Sequence, residues 1–309
     1  MTGGPDPHMA AVVVMCDGLQ LAERLWRAWL YVAVYNVPTA EAIWREWPVG
    51  KFMAAPADAM VAWLDAHWAG LRLRRERRTV KSPRRLATCL AGFPDALANL
   101  PNYAGASFED LWAFALSRPH IGRYAATKLA EIWHRLGFVS AEVPDIRAVG
   151  GWSPRKALGL IYSEEHVDFH DDGAAAVSAV EKRAAQLRAT MRDRCGIDLS
   201  FFELEVMLCE YKESYGTRRQ YPGRSLDSEL TYEAAVNAYW KVSETDHMRA
   251  RKLVSPPWAL GEIRGWAGVR GELGRVLADY GYVWSDFLYD YAASVNRLDR
   301  PVANGLESQ

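Results

Sequence analysis

The sequence predicts an all-α protein. Apolar residues recur at helical spacing between most pairs of turn signals. No segment alternates apolar and polar residues over more than about five positions, as a half-buried strand requires. Ser, Thr, Pro and Gly fall where helices would begin and end. Half of the 309 residues are hydrophobic, enough for one large domain or two packed lobes. A net charge of −1 excludes a bulk polycation, so any grip on nucleic acid must come from local basic patches. Cys16, Cys89, Cys195 and Cys209 are scattered without a CxxC pair. That argues against a zinc knuckle or a disulfide framework, and for a reducing compartment such as the cytoplasm. There is no run of about 18 apolar residues, so no membrane span is expected.

Taken in order, residues 1–17 read as a flexible Gly/Pro-rich leader. Leu21–Tyr35 follows as an amphipathic helix with Leu21, Leu25, Trp29, Val32 and Tyr35 on one stripe. Asn36-Val37-Pro38 breaks it, Thr39 is placed to cap the next helix, and Pro48 and Gly50 stop that one. Pro56–Trp68 reads as a third helix with Met60, Trp63, Leu64 and Trp68 inward. Arg72–Arg85 then holds eight basic residues and one acid, Glu76, with Ser82-Pro83 interrupting any helix inside it. Such a block is either a solvated linker or a clamp on phosphates, since each neutralised phosphate releases counterions. Arg74, Arg75, Arg77 and Arg78 are its candidate DNA contacts.

Ser107 caps a helix to Ser117, with Glu109 and Asp110 in the first turn, where the helix dipole favours acids. In Arg118–Phe138 (RPHIGRYAATKLAEIWHRLGF) a Pro-x-apolar-Gly turn feeds a helix of Ala125, Leu129, Ile132 and Trp133. Gly122 permits close backbone approach at the helix start, and Arg123 and Lys128 stand beside N–H groups that would suit a phosphate. This element resembles the helix-hairpin-helix with which DNA glycosylases and polymerases hold a strand by its backbone, although an ordinary helix turn has the same pattern. In such glycosylases a catalytic aspartate follows the hairpin in an Asp-then-basic context. Asp145, in VPDIR (Val143–Arg147), is the matching position, or else simply starts a turn after Pro144.

Gly150-Gly151 is the expected boundary between helical lobes over 18–150 and 151–298, with 299–309 as a tail. Ser153-Pro154 opens a helix. The loop holding Glu164, Glu165, His166, Asp168, His170, Asp171 and Asp172 has ligand types that suit Mg²⁺, or it caps the helix starting near Gly173. Ala174–Arg194 reads as a long structural helix. Ser200-x-x-Glu203 is a capping box for a helix with Phe201, Leu204, Leu208, Tyr211 and Tyr215 on its apolar stripe. Tyr232–Trp240, Glu244–Leu253, Gly271–Tyr280 and Ser285–Val295 read as further helices.

The stretch Glu205–Asp227 concentrates chemistry. Glu205, Cys209 and Lys212 share one helical face, and a Gly/Pro-rich loop then presents Arg218, Arg219, Tyr221, Arg224 and Asp227. Together, Lys212 and the three arginines can neutralise a phosphate-rich group. Glu205 can deprotonate an amine, pair with Lys212 or hold a metal. Cys209 is either core filler or a thiolate activated by nearby cations. No Walker-type loop, GxGxxG, HExxH or GxSxG occurs, which disfavours nucleotide hydrolysis, nicotinamide chemistry, zinc proteolysis and serine-esterase chemistry.

Four blocks together resemble the phage thymine-hypermodification proteins of the α-glutamyl/putrescinyl-thymine pyrophosphorylase, or amino acid:DNA transferase, family. They are YVAVYNVPTAE (Tyr31–Glu41), IGRYAATKLAE (Ile121–Glu131), WSPRKAL (Trp152–Leu158) and LCEYKESYGTRRQYPGRSLDSEL (Leu208–Leu230). The resemblance implies a helical fold similar to helix-hairpin-helix DNA glycosylases, acting in the cytoplasm, that of a bacterial host if the chain is phage-encoded. It also implies a reaction. A 5-hydroxymethyluracil in double-stranded DNA is pyrophosphorylated by an upstream base kinase, and an amine from an amino acid or polyamine then displaces the pyrophosphate. On that reading Lys212, Arg218, Arg219 and Arg224 bind pyrophosphate. Glu205 or Asp145 is the base, and Asp227 orients Arg224 or the amine. Tyr31, Tyr35, Tyr211 and Tyr221 stack on a flipped base. Gly122, Arg123, Lys128 and the Arg72–Arg85 block hold the strand. No cofactor is identified, and Mg²⁺ is the candidate metal. The alternatives are a helix-hairpin-helix DNA N-glycosylase and a non-enzymatic DNA-binding protein.

Overall fold

The helix expected over Leu21–Tyr35 forms as α2 (Leu21–Val34) in a computed structural model that describes residues 7–74, 77–103, 105–147, 151–162, 173–214, 235–242 and 245–254. All regular structure among these residues is helical. No helix among them is long and apolar enough to cross a membrane. The chain divides into two compact units.

The first unit holds Pro7–Glu142 and Leu226–Pro256. Its centre is α2, which is buried from Leu25 to Val34 on every side rather than along one stripe. The reason lies in LWRAWLYVAV, which offers no polar face from Leu25 onward, and a helix apolar all round is a core helix. Leu21, expected inward, is half exposed. Around α2 pack α3 (Val37–Glu46), α4 (Val49–Ala54), α6 (Pro83–Leu90), α7 (Phe93–Tyr103) and α9 (Arg123–Arg135). The Trp26 indole donates to the Trp47 carbonyl at 2.6 Å and its ring stacks on Phe52. The large apolar bodies are thus buried with a polar handle satisfied. Arg27 is buried too, donating to the Met15 carbonyl and to Asp246 and lying 3.6 Å over the Trp44 ring.

Two local expectations change. Asn36, not Thr39, caps α3, its side chain accepting from Thr39 N, and Pro38 sits within the first turn where a missing N–H costs nothing. The leader is corrected from residue 7 onward. Pro7–Met15 is a helix, α1, with Met9, Ala11, Val12 and Cys16 buried. It packs on the helix Asp246–Val254. Between them, α5 (Ala57–His67) and α8 (Phe108–Leu116) occur as expected, the latter with its Ser107–Asp110 capping box.

The second unit is built on Val143–Ser225. Three helices, α10 (Trp152–Tyr162), α11 (Ala174–Cys195) and α12 (Phe201–Ser214), enclose a core of Ala157, Leu158, Val180, Ala184, Leu187, Met191, Leu204, Leu208 and Tyr211. Gly196, at φ 66°, ends α11, with its N–H bonded to Arg192 O and that of Ile197 to Met191 O. The predicted boundary at Gly150-Gly151 moves to Glu142/Val143. Ile146 explains why: its side chain joins this core and its N–H is held by Glu181.

The predicted lobe over 151–298 changes as well, because Leu226–Pro256 belongs to the first unit. Residues 235–240 (α13) and Asp246–Val254 (α14) are helical. Glu41 on α3 accepts from the backbone N–H of Asp246 at 2.7 Å and of His247 at 3.0 Å, while Thr245 Oγ1 takes that of Met248. Three N–H groups that a helix start leaves without partners are therefore satisfied. Tyr239 lies so close over Gly70 that a Cβ there would stand 2.1 Å from its ring.

Candidate active site

The site is carried by α12. Ser200 Oγ accepts from Glu203 N and the Glu203 carboxylate accepts from Ser200 N, the reciprocal cap expected from the sequence. Leu204, Leu208 and Tyr211 face the core of the second unit. That orientation turns Glu205, Cys209 and Lys212 onto an adjacent face. Glu205 is buried at 9% exposure, and the Cys209 thiol donates to its Oε1 at 3.2 Å. Cys209 is therefore neither inert filler nor a free thiolate but a donor to the candidate base. Lys212 Nζ donates to Ser153 Oγ at 3.1 Å, tying α12 to the start of α10. Ser153 is a member of the site that sequence reading missed. It sits 59 positions from Lys212 and looks locally like an ordinary helix-opening serine.

Asp145 belongs to the same unit but is engaged in a turn. Its Oδ1 accepts from Arg147 N at 2.8 Å and pairs with Arg147 Nε at 2.7 Å, while Oδ2 takes Nη2 at 3.1 Å. Arg147 occupies the left-handed region at φ 53°, so the side-chain pair stabilises a bend. Both oxygens are used by one neighbour, which fits a structural turn rather than a base awaiting a proton. The loop residues Arg218, Arg219, Tyr221, Arg224 and Asp227, and the acidic stretch Glu164–Asp172, lie outside the described residues. Among the described residues no group of three or more His, Cys, Asp or Glu side chains stands together as a metal site.

Three of the four proposed base-stacking tyrosines are corrected. Tyr31 and Tyr211 are 1% exposed, and Tyr35 is buried as well, its ring 5.3 Å from both Tyr31 and Tyr124. Their faces are filled by core neighbours because each lies on the inward side of a helix or its cap. Two proposed DNA-gripping cations are corrected for the same reason. Arg77 is 3% exposed, donating to Ala33 O, His120 O and Cys89 Sγ. Burial lowers its pKa, with Cys89 opposing, and pushes the Cys89 thiol up to about 11. Lys128 is buried against Glu131, which also holds Arg135.

The remaining grip residues are differently placed. Gly122 is the N-cap of α9 and is exposed, as is Arg123 behind it. Ile121 is buried and His120 adopts φ 59°, giving α8 and α9 a tight turn between them. Arg74 is partly exposed, its guanidinium 5.7 Å over the Tyr35 ring. Arg75 and the Arg78 side chain lie outside the described residues. Compared with known proteins, the chain matches no family model, no curated protein and no solved structure.

Proposed function

We propose that this chain is a DNA base-modifying transferase. It displaces pyrophosphate from 5-pyrophosphoryloxymethyluracil in DNA with the amine of an amino acid or polyamine. One observation carries the reading: a buried carboxylate and a pinned ammonium stand on one face of one helix, seven residues apart. At 1.5 Å of rise per residue that spacing is about 10 Å along the axis. An in-line displacement needs a similar span. It runs from base to amine through one hydrogen bond of about 2.8 Å, across a near-attack contact of about 3 Å and a breaking C–O bond, then through a second hydrogen bond to the cation.

In that arrangement the amine nitrogen attacks the 5-methylene carbon and the C–O bond breaks with its electrons on pyrophosphate. The surplus N–H proton passes to Glu205. Lys212 stabilises the charge developing on the leaving oxygen. The Cys209 thiol holds the carboxylate in one rotamer. Arg218, Arg219 and Arg224 follow Lys212 in the chain and supply further positive charge for the leaving group. The glycosylase alternative depends on Asp145, whose two oxygens are engaged by Arg147.

The test is a nucleoside mass assay. Duplex DNA carrying 5-pyrophosphoryloxymethyluracil is incubated with the protein and a panel of amino acids and polyamines, then digested. A mass shift equal to amine addition with pyrophosphate release is expected. Unchanged nucleosides with every donor refute the reading, and abasic sites favour the glycosylase.

A further inference from the structure

We infer that the first unit carries a binding site for a small primary alkylammonium ion, in the cleft between α3 and the end of α13. The site shares no residue with the α12 face and does not depend on the transferase reading. A cavity of about 90 Å³ lies there. A single water needs about 10–15 Å³ and benzene fits an apolar cavity of about 150 Å³, so this one admits a chain of about four or five heavy atoms. Its walls are mostly apolar. Pro38 and Ala42 contribute from α3, Val236 and Trp240 from α13, and Val242 from the turn after it. That turn sets the position of Val242. Lys241 takes φ 54°, its N–H bonds to Ala238 O, and the N–H of Val242 bonds to Asn237 O. This is the Schellman closure of a helix, in which the residue after the left-handed one packs back on the last turn. Lys241 itself is exposed and is not part of the wall. Glu41 accepts from the N–H groups of Asp246 and His247, which fixes α3 against the start of α14 before any ligand arrives.

The charges on the wall decide the sign of the ligand. Glu41 and Arg45 both line the cleft, are paired at 2.8 Å and cancel. Glu46 is left over, exposed and without an ion pair or hydrogen bond among the described residues. The Asn237 amide donates weakly to Met248 Sδ at 3.7 Å, and its oxygen accepts no bond among the described residues. The cleft therefore presents one surplus negative charge and spare hydrogen-bond acceptors beside apolar walls. A metal ion does not suit it. Hard cations take about six or more oxygen ligands, and no group of three His, Cys, Asp or Glu side chains stands together among the described residues. An ammonium has three donors and no acceptor, which matches the Glu46 carboxylate and the Asn237 oxygen. The methylenes of an alkyl amine displace water from the apolar walls.

The experiment is a titration of the full chain with n-butylammonium chloride by calorimetry at low salt, with sodium butyrate and ammonium chloride as controls. Wild type is compared with Glu46→Gln and Ala42→Leu. Butylammonium should bind wild type with a Kd on the order of 1 mM, a modest affinity for five heavy atoms. It should also slow hydrogen exchange at the Val242 N–H, because an occupied cleft holds the turn closed. Glu46→Gln should weaken binding by about tenfold or more, the scale of a lost hydrogen bond to a charged partner. Ala42→Leu fills the cleft and should abolish binding. Glu46 is exposed, so Glu46→Gln should keep the wild-type Tm, and its loss of binding reports the site rather than unfolding. Should Ala42→Leu fail to fold, Glu46→Gln alone decides. The proposal is overturned by a wild-type chain that shows no binding at about ten times the expected Kd, where a real site would be nearly full. Wild-type affinity in Glu46→Gln overturns it too. So does butyrate or ammonium chloride binding as tightly as butylammonium, since the site then selects neither the charge nor the alkyl chain.

Discussion

Glu41 is the residue whose removal should most clearly reveal how the late part of the chain is held on the first unit. It is 3% exposed and accepts from two backbone N–H groups at the start of α14 and from Arg45 Nη2 at 2.8 Å. In Glu41→Ala the two N–H groups lose their acceptor in a site from which water is largely excluded. Stranding a buried donor costs about 1–3 kcal/mol, and a lost helix cap typically about 1 kcal/mol. Arg45 is a third exposed on its side chain and rehydrates, so its lost pair adds little. The expected loss is about 2–4 kcal/mol, or a fall in Tm on the order of 5–15 °C for a unit of this size. Glu41→Gln keeps one oxygen acceptor and should lose roughly half as much. Differential scanning calorimetry gives the Tm, and hydrogen exchange at Asp246 and His247 locates the effect. A Glu41→Ala protein within about 0.5 kcal/mol of wild type, the range of ordinary surface changes, refutes the argument. So does a Glu41→Gln variant less stable than Glu41→Ala.

Three further outcomes follow from the same geometry. Glu205→Gln should leave Tm within a few degrees and lower the rate of transfer by about 10²–10⁴, the usual contribution of a positioned base, read by the nucleoside mass assay. Arg77→Met should lower Tm by several degrees while leaving the salt dependence of DNA binding unchanged, because its charge serves Ala33 O, His120 O and Cys89 rather than phosphates. Stability should fall as pH rises above about 9. Burial raises the Cys16 and Cys89 thiols from 9.0 to about 12 and about 11, so the unfolded chain releases their protons first. Their contribution is complete below pH 9 and is lost between there and those folded values. Cys16→Ser and Cys89→Ser should flatten a Tm profile over that range.

What was legible in the sequence is what is encoded locally. The caps at Ser107 and Ser200 were readable because cap and N3 partner stand three positions apart. The Glu205–Cys209–Lys212 face was readable because helical spacing alone sets it. Failures came where the partner is remote or is backbone. Arg77 looked like a DNA clamp because its acceptors are carbonyls of Ala33 and His120, and a carbonyl has no sequence signature. Tyr31 and Tyr35 looked like a stacking platform because polar-tipped aromatics have the same composition at a surface and in a core. Residues 7–15 looked like a leader because the helix they pack on, α14, lies more than two hundred positions downstream.

The same distinction bears on how positive charge is distributed. A sequence count treats every Lys and Arg in the basic regions as available to an anion, whereas burial sorts them. Arg27, Arg77, Lys128 and Arg155 are buried. For the first three, carbonyls, a thiol and carboxylates of the chain itself absorb the charge. Such buried cations stabilise only while fully partnered, and they add little to an external field. Lys212 is placed differently, on a partly exposed face of α12 with its Nζ donating to the Ser153 hydroxyl.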